Sequence, residues 1–366
     1  MNILIGVENL QMDGVKRVAT VVGNKLSQKY NLYYYSLATT ESFFILDAPL
    51  IKAKHPVNTG KSFREGKPLQ KNSQQIEDLV NIIKKMEIDV VVLNAGLFTS
   101  FAPLIKKEVP KIKLVAWMHN NYQTYLKKYY KDMRAEFIAG LKAVDTVVTL
   151  TENDRIGFSR YNKSTIKIHN PITLQNKLKS KLDHKNIVAV SRLDLKHKGL
   201  DYLVELAQYL PQGWCIKLAG DGPDKEWLKT EIKNKKLHTK LHLLGKLTDK
   251  DLRTLYRKGA IFVTTSRWEG LPLVIGEAMS FGLPVAGMWN TGIQEYLQDG
   301  KYGLLIKNHD ASDLAKVINP LLRKMAWRRY FSHLSIQRSQ AFLLNRVIKQ
   351  WYLLLDGLGK TEVEMV

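Results

Sequence analysis

Cysteine is almost missing from this chain. Cys215 stands alone, so no disulfide can close within it and no cysteine cluster can hold a metal. That usage fits a reducing, cytoplasmic setting. No run of ~18 apolar residues occurs, which excludes a membrane-spanning helix. The opening apolar run, Ile3 to Val7, lacks a basic leader and is far too short for a signal segment, so it reads as a first buried strand. Acidic residues are scarce: 34 Asp and Glu face 56 Lys and Arg, a net charge of +22. Such a surface attracts phosphate, whether in nucleic acid, anionic lipid, a polyanionic glycan or a phosphorylated small molecule. G-x-G-x-x-G is absent, and so are nucleic-acid recognition signatures and solenoid repeats. No nucleic-acid partner is expected.

What is present is an ordinary globular balance, 45% hydrophobic and 25% charged over 366 residues, enough for two α/β domains with buried cores. Short apolar runs alternate with amphipathic segments, the pattern of parallel sheets with crossover helices. Ile3–Val7, Leu32–Leu37, Val90–Leu93, Lys113–Met118 and Thr146–Leu150 read as strands of one half. Ile187–Val190, Cys215–Ala219, Leu241–Leu244, Ile261–Thr265, Pro284–Ala286 and Gly303–Ile306 read as strands of another. Between them, Ile166–Pro171 and the Lys-rich Gln175–Lys185 read as a crossing linker with little to bury. The expected division is 1–170, 171–340 and a C-terminal helix and tail, 341–366. Two such halves imply a cleft, with ligands beyond the carboxyl ends of the strands.

Chemistry concentrates after three strands of the second half. In Ser266-Arg267-Trp268-Glu269-Gly270-Leu271-Pro272-Leu273-Val274-Ile275-Gly276-Glu277-Ala278-Met279, a strand ends, a Gly/Pro turn follows and a helix begins near Pro272. Free N–H groups at that helix start suit an anion. Glu277 sits among apolar and small residues, where a carboxylate needs partners. A pair of sugar hydroxyls or a structural link inside the protein would serve equally. Glu269 lies a little over two helical turns earlier, so both carboxylates can approach one ligand. Arg192 and Lys198, at the end of Ile187–Val190, are placed to hold a diphosphate or simply to be solvated. Gly220 and Gly222 permit a tight turn and close backbone approach. In the first half, Asp13-Gly14 joins strand to helix and His119 ends a strand.

Taken in order, Arg192, Lys198-Gly199, Gly220-Asp221-Gly222-Pro223, Glu269-Gly270, Glu277-Ala278-Met279, Gly282-Leu283-Pro284-Val285 and Gly292-Ile293-Gln294-Glu295 resemble family-4 retaining glycosyltransferases of the GT-B fold. The specific part covers roughly Val188–Ile306. The resemblance implies two Rossmann-like domains facing a cleft, the C-terminal helix returning to the first. It implies a nucleotide-sugar co-substrate, with Glu277 on the ribose, Glu269 beside the donor sugar, and Arg192 and Lys198 on the diphosphate. Gly220 and Gly222, and backbone groups of Gly270, Leu271, Pro272 and Leu273, would line the donor. His119 matches the active-site histidine of the N-terminal domain and Gly14 the loop under the phosphates, although a paired glycine is Asp13-Gly14 here and a common glycine is Ser191. With Arg192 and Lys198 available, neither a metal nor another cofactor is expected. Uridine is the expected base by family habit. A non-enzymatic polyanion-binding scaffold and a GT-B sugar-nucleotide epimerase are the alternatives.

Acceptor recognition is expected in the first half, where Lys52, Lys54, His55, Lys61, Arg64, Lys67 and Lys71 crowd together and Tyr122, Tyr125, Tyr129 and Tyr130 alternate with Lys127, Lys128 and Lys131. Arg323, Lys324, Trp327, Arg328, Arg329, Tyr330 and Phe331 form a third basic and aromatic group. Such mixtures suit an anionic bilayer interface, so the expectation is a peripheral enzyme on the inner face of the cell membrane. A glycan or lipid-linked acceptor, in capsule, exopolysaccharide or teichoic-acid assembly, goes with it.

Overall fold

The computed structural model describes residues 1–38, 41–57, 64–174 and 178–359. The chain forms two compact units, one of Met1–Pro171 with Leu344–Val366, the other of Ile172–Leu343. Each is a parallel sheet with helices on both faces, as the near-continuous apolar strands require.

Unit 1 is built on β1 (Asn2–Val7), β2 (Asn31–Ser36), β3 (Leu50–Lys52), β4 (Val90–Asn94), β5 (Lys113–Trp117), β6 (Thr146–Thr149) and β7 (Thr165–Lys167), in the order β3-β2-β1-β4-β5-β6-β7. Helix α1 (Gly14–Leu26) follows β1, burying Val18, Ala19, Val22 and Leu26 along one face. Helix α2 (Ala95–Ser100) follows β4 directly. Two elements depart from the sequence reading. The basic stretch after β2 contains the short strand β3, and the supposed linker contributes edge strand β7, paired in register with β6 through Ile166 and Val148. Both strands are only three residues long, too short to show an alternation.

Unit 2 is built on β8 (Asn186–Val190), β9 (Cys215–Ala219), β10 (Leu241–Gly245), β11 (Ile261–Thr264), β12 (Val285–Met288) and β13 (Leu304–Ile306), in the order β10-β9-β8-β11-β12-β13. The helices used below are α3 (Leu195–Lys198), α4 (Leu200–Gln208), α5 (Leu273–Ser280), α6 (Thr291–Leu297), α7 (Ala311–Arg323) and α8 (Met325–Ser339). The tract read as a free linker is instead docked on this unit. Ser180 donates its N–H to the Phe281 carbonyl and its hydroxyl to that of Gly259, and Leu182 is buried.

Arg328 belongs to the same docking and not to an exposed basic patch. Its guanidinium donates to the carbonyls of Leu182, Leu321 and Leu322, tying that tract to the C-terminal end of α7. Orphan carbonyls at a helix end attract such a cation. Arg338 does the same for Glu295 and Tyr296 of α6.

The last helix, α9 (Leu344–Gly359), belongs to unit 1. Val347, Ile348, Trp351 and Leu355 form its buried stripe. The Trp351 ring meets that of Trp117 at 4.6 Å between centroids. Asp356 pairs with Lys29 at 2.6 Å and accepts from Tyr30 Oη at 2.7 Å.

Candidate functional site

In unit 2 the carboxyl ends of β8, β9 and β11 meet in one set of loops. Asp194 caps α3 by accepting from the His197 N–H, which turns the chain after Arg192 into a single helical turn. Gly199 ends that turn in the left-handed region, with φ 60°, and a Cβ there would strike the Thr265 carbonyl. The β11 loop fastens the turn from the other side. Thr265 Oγ1 donates to the Lys198 carbonyl at 2.9 Å, and the Arg267 N–H donates to that of His197 at 2.9 Å. The Arg267 guanidinium pairs with Asp201 and lies 4.2 Å from the Tyr202 ring.

This stapling aims Lys198 at Glu269. Lys198 Nζ lies 2.5 Å from Glu269 Oε1, and Glu269 is buried. Burial pushes the Glu269 carboxyl up, but Lys198, His197 and hydrogen bonds from Lys198 and Ser266 outweigh it and hold the group below its ordinary value. His197 stacks flat on Trp268, 4.7 Å between centroids, and its Nε2 lies 2.9 Å from the Trp268 carbonyl. Burial first and Lys198 second push the His197 pKa down. It is thus a neutral prop that donates to the carbonyl just before Glu269.

Gly220 and Gly222 carry the β9 loop against residues 191–193. Leu193 donates its N–H to the Asp221 carbonyl at 2.9 Å, and a side chain on Gly220 would run into the Ser191 carbonyl. Arg192 is exposed, and its guanidinium makes no hydrogen bond or ion pair among the described residues. Helix α5 begins one residue later than expected, with Pro272 as its N-cap and no side chain capping its first N–H groups. Those donors are open to an anion. Glu277, within α5, is buried and accepts from Thr173 Oγ1 at 2.8 Å and Tyr256 Oη at 3.1 Å. The structural link that the sequence left open is therefore present.

Unit 1 has its own cavity of about 170 Å³ at the ends of β1, β4 and β5, lined by Glu8, Asp13, Lys16, Arg64, Asn94 and His119 among others. Gly14 is the first residue of α1, but Asp13 already occupies that helix start. The Asp13 carboxylate accepts from the Lys16 N–H at 2.9 Å and pairs with Lys16 Nζ at 2.6 Å. The departure from paired glycine thus puts a built-in anion at that helix start.

His119 is buried, and burial, aided by Lys16, pushes its pKa down to about 3. Asn94 Nδ2 donates to the Gly6 carbonyl at 2.8 Å, which leaves Asn94 Oδ1 facing His119 Nε2 at 2.8 Å. The neutral ring therefore carries its proton on Nε2. Nδ1, a lone-pair acceptor, has no partner among the described residues. Tyr125 and Tyr130, read from the sequence as part of an interfacial mixture, are buried: Tyr125 Oη accepts from the His119 N–H and Tyr130 Oη from that of Gly96. Lys61 lies outside the described residues.

With this geometry in place, comparison with known proteins is specific. Residues 172–335 match the family model described as Glycosyl transferases group 1. The chain is 26% identical to an uncharacterized glycosyltransferase of Haemophilus influenzae over 92% of this chain and 95% of that protein. It is 24% identical, over 97% of this chain and 98% of the other, to a Campylobacter jejuni α-1,4-N-acetyl-D-galactosaminyltransferase named for a diNAcBac-PP-undecaprenol-linked glycan. Anabaena HepE, solved with UDP and glucose, superposes with a TM-score of 0.81 at 17% identity, covering 98% of this chain and all of HepE. The chain is a glycosyltransferase of the GT-B fold, and its residues 172–335 carry the group 1 match.

In this glycosyltransferase the structure gathers Arg192, Lys198, Gly220, Gly222, Glu269, Gly270–Leu273 and Glu277 in unit 2, and Gly14 and His119 in unit 1. Sequence reasoning passed over Glu8, Asn94, Thr173 and Tyr256. Glu8 carried a usable signal, as an acid directly after an apolar strand. Thr173 lay in the supposed linker and carried none. The chain contains one Asp-x-Asp, Asp249-Lys250-Asp251, and it starts a helix, where Asp251 accepts from Thr248 Oγ1 at 2.7 Å. Among the described residues no three His, Cys, Asp or Glu side chains converge as a metal site.

Proposed function

We infer that this glycosyltransferase moves a sugar from a UDP-sugar to a glycan or lipid-linked acceptor with retention of configuration, in assembly of an envelope polysaccharide. The observation that carries the reading is the Lys198–Glu269 pair. A departing nucleoside diphosphate develops negative charge, and preorganised cations and N–H groups stabilise it without reorganising. Lys198 is held in place by Glu269, Arg192 is free to fold over the phosphates, and the uncapped start of α5 supplies N–H donors. Glu269 keeps acceptor capacity for a sugar hydroxyl, and Glu277 can exchange its Thr173 and Tyr256 hydroxyls for those of a ribose. Neither carboxylate stands free as a nucleophile, which favours departure assisted by cations over a covalent enzyme intermediate.

Uridine is supported by the HepE complex and a lipid-diphosphate acceptor by the name of the Campylobacter relative. No described helix is long and apolar enough to cross a membrane. Contact with a bilayer would instead use α8, where Trp327 and Tyr330 are 46% and 56% exposed beside the exposed Arg323, Lys324 and Arg329. No acidic residue occurs from 314 to 355 to repel an anionic headgroup.

The test is thermal stabilisation by UDP-, GDP- and ADP-sugars with EDTA present. Stabilisation by one nucleotide class, retained in EDTA, supports a metal-independent donor site. A shift that disappears on chelation removes the metal-independent reading, and no shift from any nucleotide removes the UDP-sugar reading. Sedimentation with anionic liposomes tests the bilayer contact, which predicts binding at low salt that Trp327→Ala with Tyr330→Ala abolishes.

A further inference from the structure

A fourth loop, after β12, is stitched to the β11 loop of unit 2. Asn290 caps α6 by accepting from the Ile293 N–H, and its Nδ2 donates to the Ser266 carbonyl at 2.8 Å. Two residues on, a Cβ at Gly292 would strike the Gly270 carbonyl and the Glu269 side chain. The residue before Asn290 is Trp289, which is 36% exposed, whereas Trp117, Trp214 and Trp351 are buried. Its N–H donates to the Ile306 carbonyl at 2.8 Å, carrying the parallel register one step beyond the Met288–Ile306 pair. Trp289 and Lys307 therefore stand opposite each other just past the carboxyl ends of β12 and β13, about 5 Å apart in backbone. Ligands of open parallel sheets bind on that side.

Neither side chain is used inside the protein. Among the described residues the Trp289 indole meets no hydrogen-bond, ring or cation partner, and the exposed Lys307 ammonium meets no carboxylate. The acid of the β11 loop and those that follow Lys307 are committed elsewhere. Glu269 pairs with Lys198, Asp313 with Lys316 and Asn308, and Asp310 caps α7.

An indole left in water forfeits a large apolar burial. A hydrocarbon ligand would leave Lys307 unexplained, and a bare anion would leave the indole so. The chemistry that meets both has an apolar face and a negative charge side by side. A pyranose carries such a face in its axial C–H groups, which suit the negative face of an aromatic ring. A carboxylate or phosphate on the sugar supplies the charge.

We propose that Trp289 and Lys307 seat the acceptor, the indole stacking on a sugar ring and Lys307 taking an anionic group on that ring or the next. The acceptor is thus an acidic glycan. The inference rests on the transferase reading for its ligand class. The donor diphosphate has its own cations and N–H groups at Arg192, Lys198 and the start of α5.

The test uses the whole chain as wild type, Trp289→Ala, Trp289→Phe and Lys307→Gln. Methyl glycosides, methyl uronosides and sugar 1-phosphates of the gluco, galacto and 2-acetamido series are followed by saturation-transfer NMR at low salt, with and without UDP. UDP and UDP-glucose are titrated separately. In at least one series the anionic sugars should bind wild type about threefold more tightly than the neutral one, and Lys307→Gln should erase that preference. The preferred anion, carboxylate or phosphate, tells where the acceptor carries its charge. Trp289→Ala should weaken the whole series about tenfold, and Trp289→Phe, which keeps a ring, should recover part. Affinity for UDP and UDP-glucose should be the same in all four chains.

Loss of nucleotide affinity in Trp289→Ala overturns the acceptor assignment. So does a wild type that binds neutral and anionic sugars equally, or binds none. In that last case, UDP binding by the same chain leaves the transferase reading standing. Sugar binding without nucleotide binding keeps this proposal and removes the UDP-sugar reading. Loss of liposome sedimentation in Trp289→Ala would make the indole a bilayer contact and overturn the proposal. None of the substitutions should lower the melting temperature; a marked fall in both Trp289 variants would show a structural ring and likewise overturn it.

Discussion

Lys198 Nζ and Glu269 Oε1 stand 2.5 Å apart with side chains only 16% and 11% exposed. Removing either partner strands a charge in a site that water barely reaches. Glu269→Ala or Lys198→Ala should each cost about 3 kcal/mol of folding stability, and the double substitution to Leu and Met much less than the sum. Urea denaturation of the four chains measures it. Additive losses would show that the pair is not coupled.

The same pair sets an acid limb. The folded pKa of Glu269 lies below its ordinary 4.5, so its contribution is fully present above about pH 4.5 and is lost as pH falls through the folded value. Glu269→Gln should flatten that part of the stability curve. An unchanged acid limb would place the lost protons elsewhere.

His119 should not titrate near neutrality. With its pKa pushed down to about 3 and its proton fixed on Nε2 by Asn94, its ring ¹⁵N shifts should report one neutral tautomer throughout pH 5–8. Asn94→Asp should reverse this, because a carboxylate at the same position favours the imidazolium. A wild-type His119 midpoint near 6.5 would contradict the burial argument.

Glu277→Ala should remove both the nucleotide-induced stabilisation and about 1–2 kcal/mol of unliganded stability, since it leaves the Thr173 hydroxyl without an acceptor. Glu277→Gln keeps an acceptor and should restore most of the second loss and little of the first. If Gln restores ribose binding fully, a charged carboxylate is not what the nucleotide needs.

Legibility in the sequence followed the length of each element and the locality of each contact. Val90–Leu93 and Cys215–Ala219, apolar but for Lys217, are strands where the alternation of apolar runs and helices placed them. β3 and β7, three residues each, show no periodicity and acquire their pairing only from a neighbour already in the sheet. Arg328 and Tyr130 look like surface residues because their neighbours in sequence are charged; their partners, Leu182 and Gly96, lie far along the chain. The same limit applies to the site. Spacing brought Glu269 and Glu277 forward as a pair, but the Thr173 hydroxyl against Glu277 and the Asn94 amide that fixes the His119 tautomer depend on long-range packing.

Gly220 offers a test that needs no ligand. Its φ of 144° and the Ser191 carbonyl facing it leave no place for a Cβ. Gly220→Ala should cost about 2–3 kcal/mol and displace Arg192, which shares that loop. A stable Gly220→Ala chain with unaltered nucleotide binding would show that the β9 loop yields freely.

Trp351 also fixes an order of events during synthesis. All of unit 2 is translated before the helix that seals Trp117 has been made. The half translated first therefore closes late, and its β5 face stays exposed while the whole of the later half is being made. A nonsense codon just past 343 would release unit 2 with all its residues translated beside a first half that lacks Trp351, a product open to proteases and to self-association in unit 1. A change confined to Leu344–Gly359 would thus damage the half translated first.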